Sequence, residues 1–159
     1  MTSILYRRAT EADLPAIVSL LADDPLGTSR EDVSFPPNRK YVKAFTAINR
    51  DPNQLLAVVE LEKEIIGCLQ LSFIPGLSRL GMWRGQIESV RIATGHRRDG
   101  LGRKMFNWAI EQCREQGCEL VQLNTDKSRP EAIRFYEKLG FKASHEGMKL
   151  VLMEKNPSP

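Results

Sequence analysis

"VRIATGHRRDGLGRKMF", residues 90–106, decides how this chain folds. It begins apolar and β-branched, turns basic, and ends on the first apolar positions of a helical pattern. Residues 96–105 hold five His, Arg or Lys side chains, Asp99 as the one acid, and Gly100 and Gly102 two positions apart. A strand running through a basic glycine loop into a helix gathers unpaired N–H groups and partial positive charge at one point. Glycine lets an anion approach the backbone closely, so the segment suits a phosphate-bearing ligand; taken alone, it suits an ordinary solvated helix start equally well. Two nucleotide signatures fail on spacing. Gly95 and Gly100 have the Walker gap, but Leu101-Gly102 follows in place of Lys-Ser/Thr, and Met105 stands where a dinucleotide fingerprint needs its third glycine.

The remaining composition narrows the class. The chain has 159 residues, 42% hydrophobic and 27% charged, which suits one soluble domain with a sizeable core. A net charge of +3 is too small to indicate nucleic acid, and basicity gathered in one loop points to a small anion. No apolar run approaches the ~18 residues of a membrane span, and "MTSILYRRATEADL" lacks a signal-peptide layout, so no membrane partner and a cytoplasmic location are expected. Cys68, Cys113 and Cys118 form no CxxC pair, and His96 and His145 join no Cys/His cluster, so neither a disulfide framework nor a metal is expected.

The pattern elsewhere predicts a single α/β domain. "SILYRRA" reads as a strand, and Thr10 with Asp13 as the capped start of a helix bearing Leu14, Ile17, Val18 and Leu21. A proline-containing loop precedes a helix with Val42, Phe45 and Ile48 on one face. "LLAVVEL" and "EIIGCLQLSFI" predict a hairpin, and "QIESVRI" a strand with Glu88, Val90 and Ile92 on one face and Ile87, Ser89 and Arg91 on the other. Leu101, Met105, Phe106, Ala109, Ile110 and Cys113 mark the next helix, which stops at Gly117. "ELVQLNT" reads as a strand, "SRPEAIRFYEKLGF" as a helix between Pro130 and Gly140, and Met148, Leu150 and Leu152 as a last strand. The expected order is β-α-α-β-β-β-α-β-α-β over residues 1–155, with 156–159 a tail.

Arg97-Arg98-Asp99-Gly100-Leu101-Gly102 resembles the Q/R-x-x-G-x-G/A pattern of the GNAT superfamily of N-acetyltransferases. "AIRFYEKLGF" is similar to that family's second common segment, and "YRRATEADLPAIVSLL" to its opening strand and helix. The resemblance implies a single domain with a mixed, mostly antiparallel sheet flanked by helices, and acetyl-CoA as cosubstrate with no metal. It implies that Arg97, Arg98, Asp99, Gly100, Leu101, Gly102 and Arg103 hold the pyrophosphate, mainly through backbone N–H groups. It further implies that Val90, Arg91 and Ile92 lie along the pantetheine arm, with a strand N–H near the thioester carbonyl, and that Tyr136 is the general acid for the departing thiolate. There are departures: Arg98 and Asp99 stand where many members have Gly and a basic residue, and Arg129 where many have a cofactor-binding asparagine. Arg129 either takes a phosphate or is solvated, Asn124 either meets the pantetheine arm or turns the chain, and Tyr136 is otherwise a core aromatic.

The implied reaction is direct attack of a primary amine in a ternary complex, which needs a base. Glu88 is the candidate, acting directly or through water, because an acid amid apolar strand positions is unusual if buried without a partner. The alternatives are that it faces solvent or pairs with Arg84 or Arg91. Gln86, on the same face, is placed to position a water or substrate. The irregular stretches 25–41 and 75–83 are where the acceptor, a small-molecule or peptide amine, is expected. A homodimer is left open, no nucleic acid is expected, and a non-catalytic acyl-CoA-binding or sensing domain is the competing reading.

Overall fold

A computed structural model describes residues 3–153. The chain divides into two compact units, residues 1–123 and 124–159. The first holds strands β1 (Ile4–Arg8), β2 (Gln54–Leu61), β3 (Glu64–Ile74), β4 (Arg84–Ile92) and β5 (Leu120–Gln122). Its helices are α1 (Leu14–Ala22), α2 (Arg39–Arg50) and α4 (Leu101–Glu115), with a single turn α3 (Ser78–Gly81) between β3 and β4. The turn α3 is left-handed, with φ of 54° at Arg79 and 60° at Leu80.

The sheet runs in the order β1-β2-β3-β4-β5. The first three pairings are antiparallel and β4–β5 is parallel, so the sheet is mixed and mostly antiparallel, as expected. β2 and β3 are joined by Glu62 and Lys63, both left-handed (φ 50° and 69°), the backbone that matches the twist of a two-residue hairpin.

Alternation along these strands makes two faces. On one, Leu56, Val58 and Cys68 pack with Leu14, Ile17 and Leu20 of α1 and Phe45 of α2. The other face lies against α4, whose Met105, Phe106, Ala109 and Cys113 are buried; Ile110 is only half-buried. Two glycines let α4 come close. A Cβ on Gly67 would lie 3.2 Å from the Met105 sulfur, and one on Gly85 would collide with Cys113 Sγ. Arg7 fastens β1 to the start of α1, donating to both carboxylate oxygens of Asp13 (2.7 and 3.0 Å) and to Glu60 (2.9 Å). Asp13 also accepts from the Thr10 backbone N–H (2.7 Å), so the predicted helix start is present, reached through a short 3-10 turn at Glu11–Asp13.

In the second unit, α5 (Pro130–Lys138) starts on Pro130 and ends before Gly140 at φ 100°. The predicted last strand does not form: residues around Met148, Leu150 and Leu152 are irregular, with those side chains 94%, 85% and 88% exposed. Alternation alone cannot make a strand, because the ladder bonds need a neighbour and these residues have none among those described. The strand expected over 119–125 shortens to β5, Leu120–Gln122. The expected tail, 156–159, lies outside the described residues.

Gly85→Ala should destabilise the protein by ~1–3 kcal/mol, the range for an overpacked methyl group. Cys113→Ala in the same chain should recover part of that loss, since it removes the sulfur the new methyl meets. Urea unfolding of the single and double variants measures both; additive losses would mean that the collision is not the cause.

Candidate active site

β4 carries an irregularity that determines which side chains meet. Gln70 of β3 pairs with Glu88, and Cys68 with Arg91, so two steps on β3 oppose three on β4. The extra residue is accommodated at Ser89, whose φ is 54°. The simple alternation predicted for "QIESVRI" is therefore wrong beyond Glu88. Arg91 shares the face of Glu88 and Gln86, while Ile92, paired with Gly67, lies on the α4 side.

The second feature of β4 is its free edge. β5 pairs only with Arg84, Gly85 and Gln86. From Ile87 to Ile92, β4 has no strand beside it on that side among the described residues. The Val90 and Ile92 carbonyls accept from the Arg91 and Arg97 side chains, so an extended ligand lying along this edge would meet its other backbone groups.

That edge leads into the basic loop. Thr94 donates to Asp23 Oδ2 (2.7 Å), and Arg97 donates to Asp23 O (2.9 Å), to its Oδ2 (3.2 Å) and to the Ile92 carbonyl (3.0 Å). The Arg97 side chain is therefore the clasp between the loop and the end of α1, which leaves its backbone rather than its guanidinium facing any ligand of the loop. Gly100 caps α4 with φ 71°, and no side chain fills the cap position. The N–H groups of the first turn, Leu101 to Arg103, are consequently left to an incoming anion. A Cβ on Gly100 would meet nothing within 4 Å, so the approach is open. Arg98 and Arg103 are exposed and make no ion pair among the described residues; Asp99, also exposed, lies 4.0 Å from His96. Leu101 is buried and anchors the helix in the core. Gly102 is half-buried.

Around the bulge, Arg91 pairs with Asp24 (3.3 Å) and donates to the Val90 carbonyl (2.9 Å), while its buried Nε has no partner. Cys68 lies beneath, its thiol pushed up to about 12 by burial despite the Arg91 charge, so it stays protonated and is a poor nucleophile. Glu88 is exposed and makes no ion pair among the described residues, so it is not the buried, unpartnered acid that the strand pattern suggested. Gln86 accepts a hydrogen bond from Gln122 Nε2 (2.8 Å).

In the second unit, Tyr136 is half-buried between Phe135 (ring centroids 5.7 Å apart) and Phe141 (6.1 Å). Gly140 N–H donates to the Glu137 carbonyl and Phe141 N–H to that of Tyr136, both at 3.0 Å. This is the Schellman end of a helix, with Phe141 against Tyr136 as its hydrophobic contact. "YEKLGF" is thus a device that fixes the Tyr136 ring. Arg129 precedes α5 as its N-cap residue, half-buried, and Asn124 is exposed. Sequence reasoning missed Asp23, Asp24 and Ser89. The two aspartates read only as a helix-ending turn, and nothing near Ser89 signals a bulge.

Residues 15–141 match the model of the acetyltransferase (GNAT) family. The chain belongs to this family. It is an acetyltransferase, of a family that uses acetyl-CoA to acetylate amines. It is 27% identical over 139 residues to the aminoalkylphosphonate N-acetyltransferase of Salmonella typhimurium, covering 87% of this chain and 85% of that one. Over 89 residues it is 38% identical to the glucosamine 6-phosphate N-acetyltransferase of Trypanosoma brucei brucei, covering 55% and 58% of the two chains. A solved structure described as a transcriptional regulator from Bacillus halodurans C-125 superposes with a TM-score of 0.91 at 49% identity, covering 94% of this acetyltransferase and 100% of that chain. Among the described residues, no group of three or more His, Cys, Asp or Glu is arranged to hold a metal, and no helix is long and apolar enough to cross a membrane.

Gly100→Val should weaken acetyl-CoA binding about tenfold or more: a left-handed β-branched residue costs ~1–2 kcal/mol, and 1.4 kcal/mol is a factor of about ten. Arg97→Ala and Asp23→Ala should each weaken it less, and together by less than the sum of the two, because they share one clasp. Calorimetric titration of the four variants reads these affinities, and additive losses would contradict the clasp.

Proposed function

We propose that this chain is an N-acetyltransferase that moves the acetyl group of acetyl-CoA to a primary amine of a small molecule, by direct attack in a ternary complex, within one domain of residues 1–155. The observation that carries this reading is a β4 edge with no neighbouring strand among the described residues, leading to a helix start at Gly100 that no side chain caps. In it, the edge at Val90 to Ile92 aligns the pantetheine arm, and the backbone from Arg97 to Arg103 holds the pyrophosphate. Asn124 and Arg129 are further contacts of the cosubstrate. The family match runs across the boundary between the two units, which supports treating them as one domain.

Acetyl-CoA supplies an activated acyl group and a thiolate that leaves. Glu88 takes the proton from the acceptor ammonium, directly or through a water, and its exposure leaves it reachable from solvent. Tyr136 protonates the leaving sulfur through its phenolic hydroxyl. Two relatives are named for acceptors that join an amine to a phosphorus oxyanion, which supports a small anionic amine over a protein lysine. The three free cysteines suit a reducing cytoplasm.

Tyr136→Phe keeps the ring and its packing and removes only the hydroxyl. Turnover should fall ~10²–10⁴-fold, the usual worth of a general acid or base, with acetyl-CoA affinity nearly intact. Glu88→Gln should reduce turnover most at low pH, where more of the amine is protonated. Thiol release followed across pH checks both. A Tyr136→Phe enzyme as fast as the parent, where chemistry limits the rate, would leave that residue a packing role alone.

A further inference from the structure

The face of the sheet that bears Glu88 also carries a row of amides and one hydroxyl. Gln54 pairs with Ser72, Ser72 with Gln86, and Gln86 with Gln122, so the row crosses β2, β3, β4 and β5 at one level. All four are half-buried. Gln54 Nε2 donates to Ser72 Oγ (2.9 Å), Gln70 Nε2 to Gln54 Oε1 (3.0 Å), and Gln122 Nε2 to Gln86 Oε1 (2.8 Å). On the opposite face the same strands bury Leu71, Phe73 and Ile87. Holding glutamines in fixed rotamers costs side-chain entropy, and no apolar packing demands amides there. The bonds made within the row leave Gln86 Nε2 as a donor and Gln122 Oε1 as an acceptor. Together they match a hydroxyl, which both gives and receives.

Charges of opposite sign flank this row along β4. One level up, Arg84 pairs with Ile74, and one level down, Glu88 pairs with Gln70. Neither makes an ion pair among the described residues, although Arg84 is half-buried. Four strand residues separate their Cα atoms by roughly 13 Å, a span that the two side chains shorten to the length of a few carbon atoms. A guanidinium without a carboxylate partner offers its planar fork to an oxyanion.

We propose that β4 is a polar rail for the acceptor: Arg84 takes an anionic group, Gln86 and Gln122 take hydroxyls, and the ammonium lies at Glu88. The acceptor is then a small hydroxylated amine with an anion at the end remote from the reacting nitrogen. The assignment rests on the reading of Glu88 as the base. Steady-state kinetics of the full chain with acetyl-CoA test it, using glucosamine 6-phosphate, glucosamine, an aminoalkylphosphonate and a lysine peptide as acceptors. Arg84→Ala should raise KM for glucosamine 6-phosphate at least tenfold more than for glucosamine, and Arg84→Lys should recover part of the loss. Gln86→Leu with Gln122→Leu should raise KM for the two sugars and much less for the aminoalkylphosphonate. Equal effects of Arg84→Ala on the phosphorylated and unphosphorylated sugars would overturn the rail while leaving acetyl transfer standing, as would turnover confined to the peptide. Turnover of no amine would remove the transfer reading itself. Calorimetry of glucosamine 6-phosphate on the CoA-bound parent and on Arg84→Gln measures the anion contact without turnover, and equal affinities there would also overturn the proposal.

Discussion

Ser89 holds a φ of 54° in the middle of β4, a conformation that costs a residue with a side chain ~1–2 kcal/mol. The arrangement of the site follows from it. The extra residue turns Arg91 onto the face of Glu88, where it meets Asp24, and sends Ile92 to the α4 side above Met105. It falls in the part of β4 that β5 leaves unpaired. Strain of this kind persists where the surroundings over-determine it, and here β3 on one side and the Arg91–Asp24 pair on the other hold the bulge in place.

The end of α1 is the second support. Asp23 receives Thr94 and Arg97, and Asp24 receives Arg91, so two adjacent carboxylates fix the last residues of β4 and the loop beyond it. The first N–H groups of α4 have no side-chain cap. If Arg97 instead pointed outward, it would add one charge to the ligand but lose the clasp that positions several N–H donors at once. In an anion site, pre-positioned backbone dipoles are worth more than one mobile side chain.

Both long helices that follow end in the same way. α4 stops with Gly117 at φ 84° and Cys118 bonded back to Cys113, and α5 with Gly140 at φ 100° and Phe141 bonded back to Tyr136. In α4 this end places the chain for β5, whose first residues lie beside Arg84 and Gly85. In α5 it sets the ring of the residue assigned to acid catalysis. A glycine and the residue after it thus set the exit of the chain in one helix and the seat of an aromatic ring in the other.

The strongest local signals in the sequence were sufficient for much of this. Periodicity placed α1, α2, α4 and α5, the glycines marked the helix ends, and the spacing of Arg97, Gly100 and Gly102 indicated the turn into α4 and the family. These are short-range properties, set by backbone conformation and side-chain period within a few residues. What failed in the sequence depended on partners far along the chain. Met148, Leu150 and Leu152 alternate like a strand yet form none, because a strand exists only with a neighbour. Ser89 is an ordinary residue whose left-handed state is imposed by pairing with β3, and Arg97 reads as a ligand until Asp23, 74 residues away, is seen to hold it. The row from Gln54 to Gln122 joins four strands whose register no local pattern encodes. Sequence alone determined the helices, the hairpin and the basic glycine turn into α4; tertiary structure decided which strands find a neighbour and which face each side chain occupies, because one inserted residue in a strand reverses every position after it.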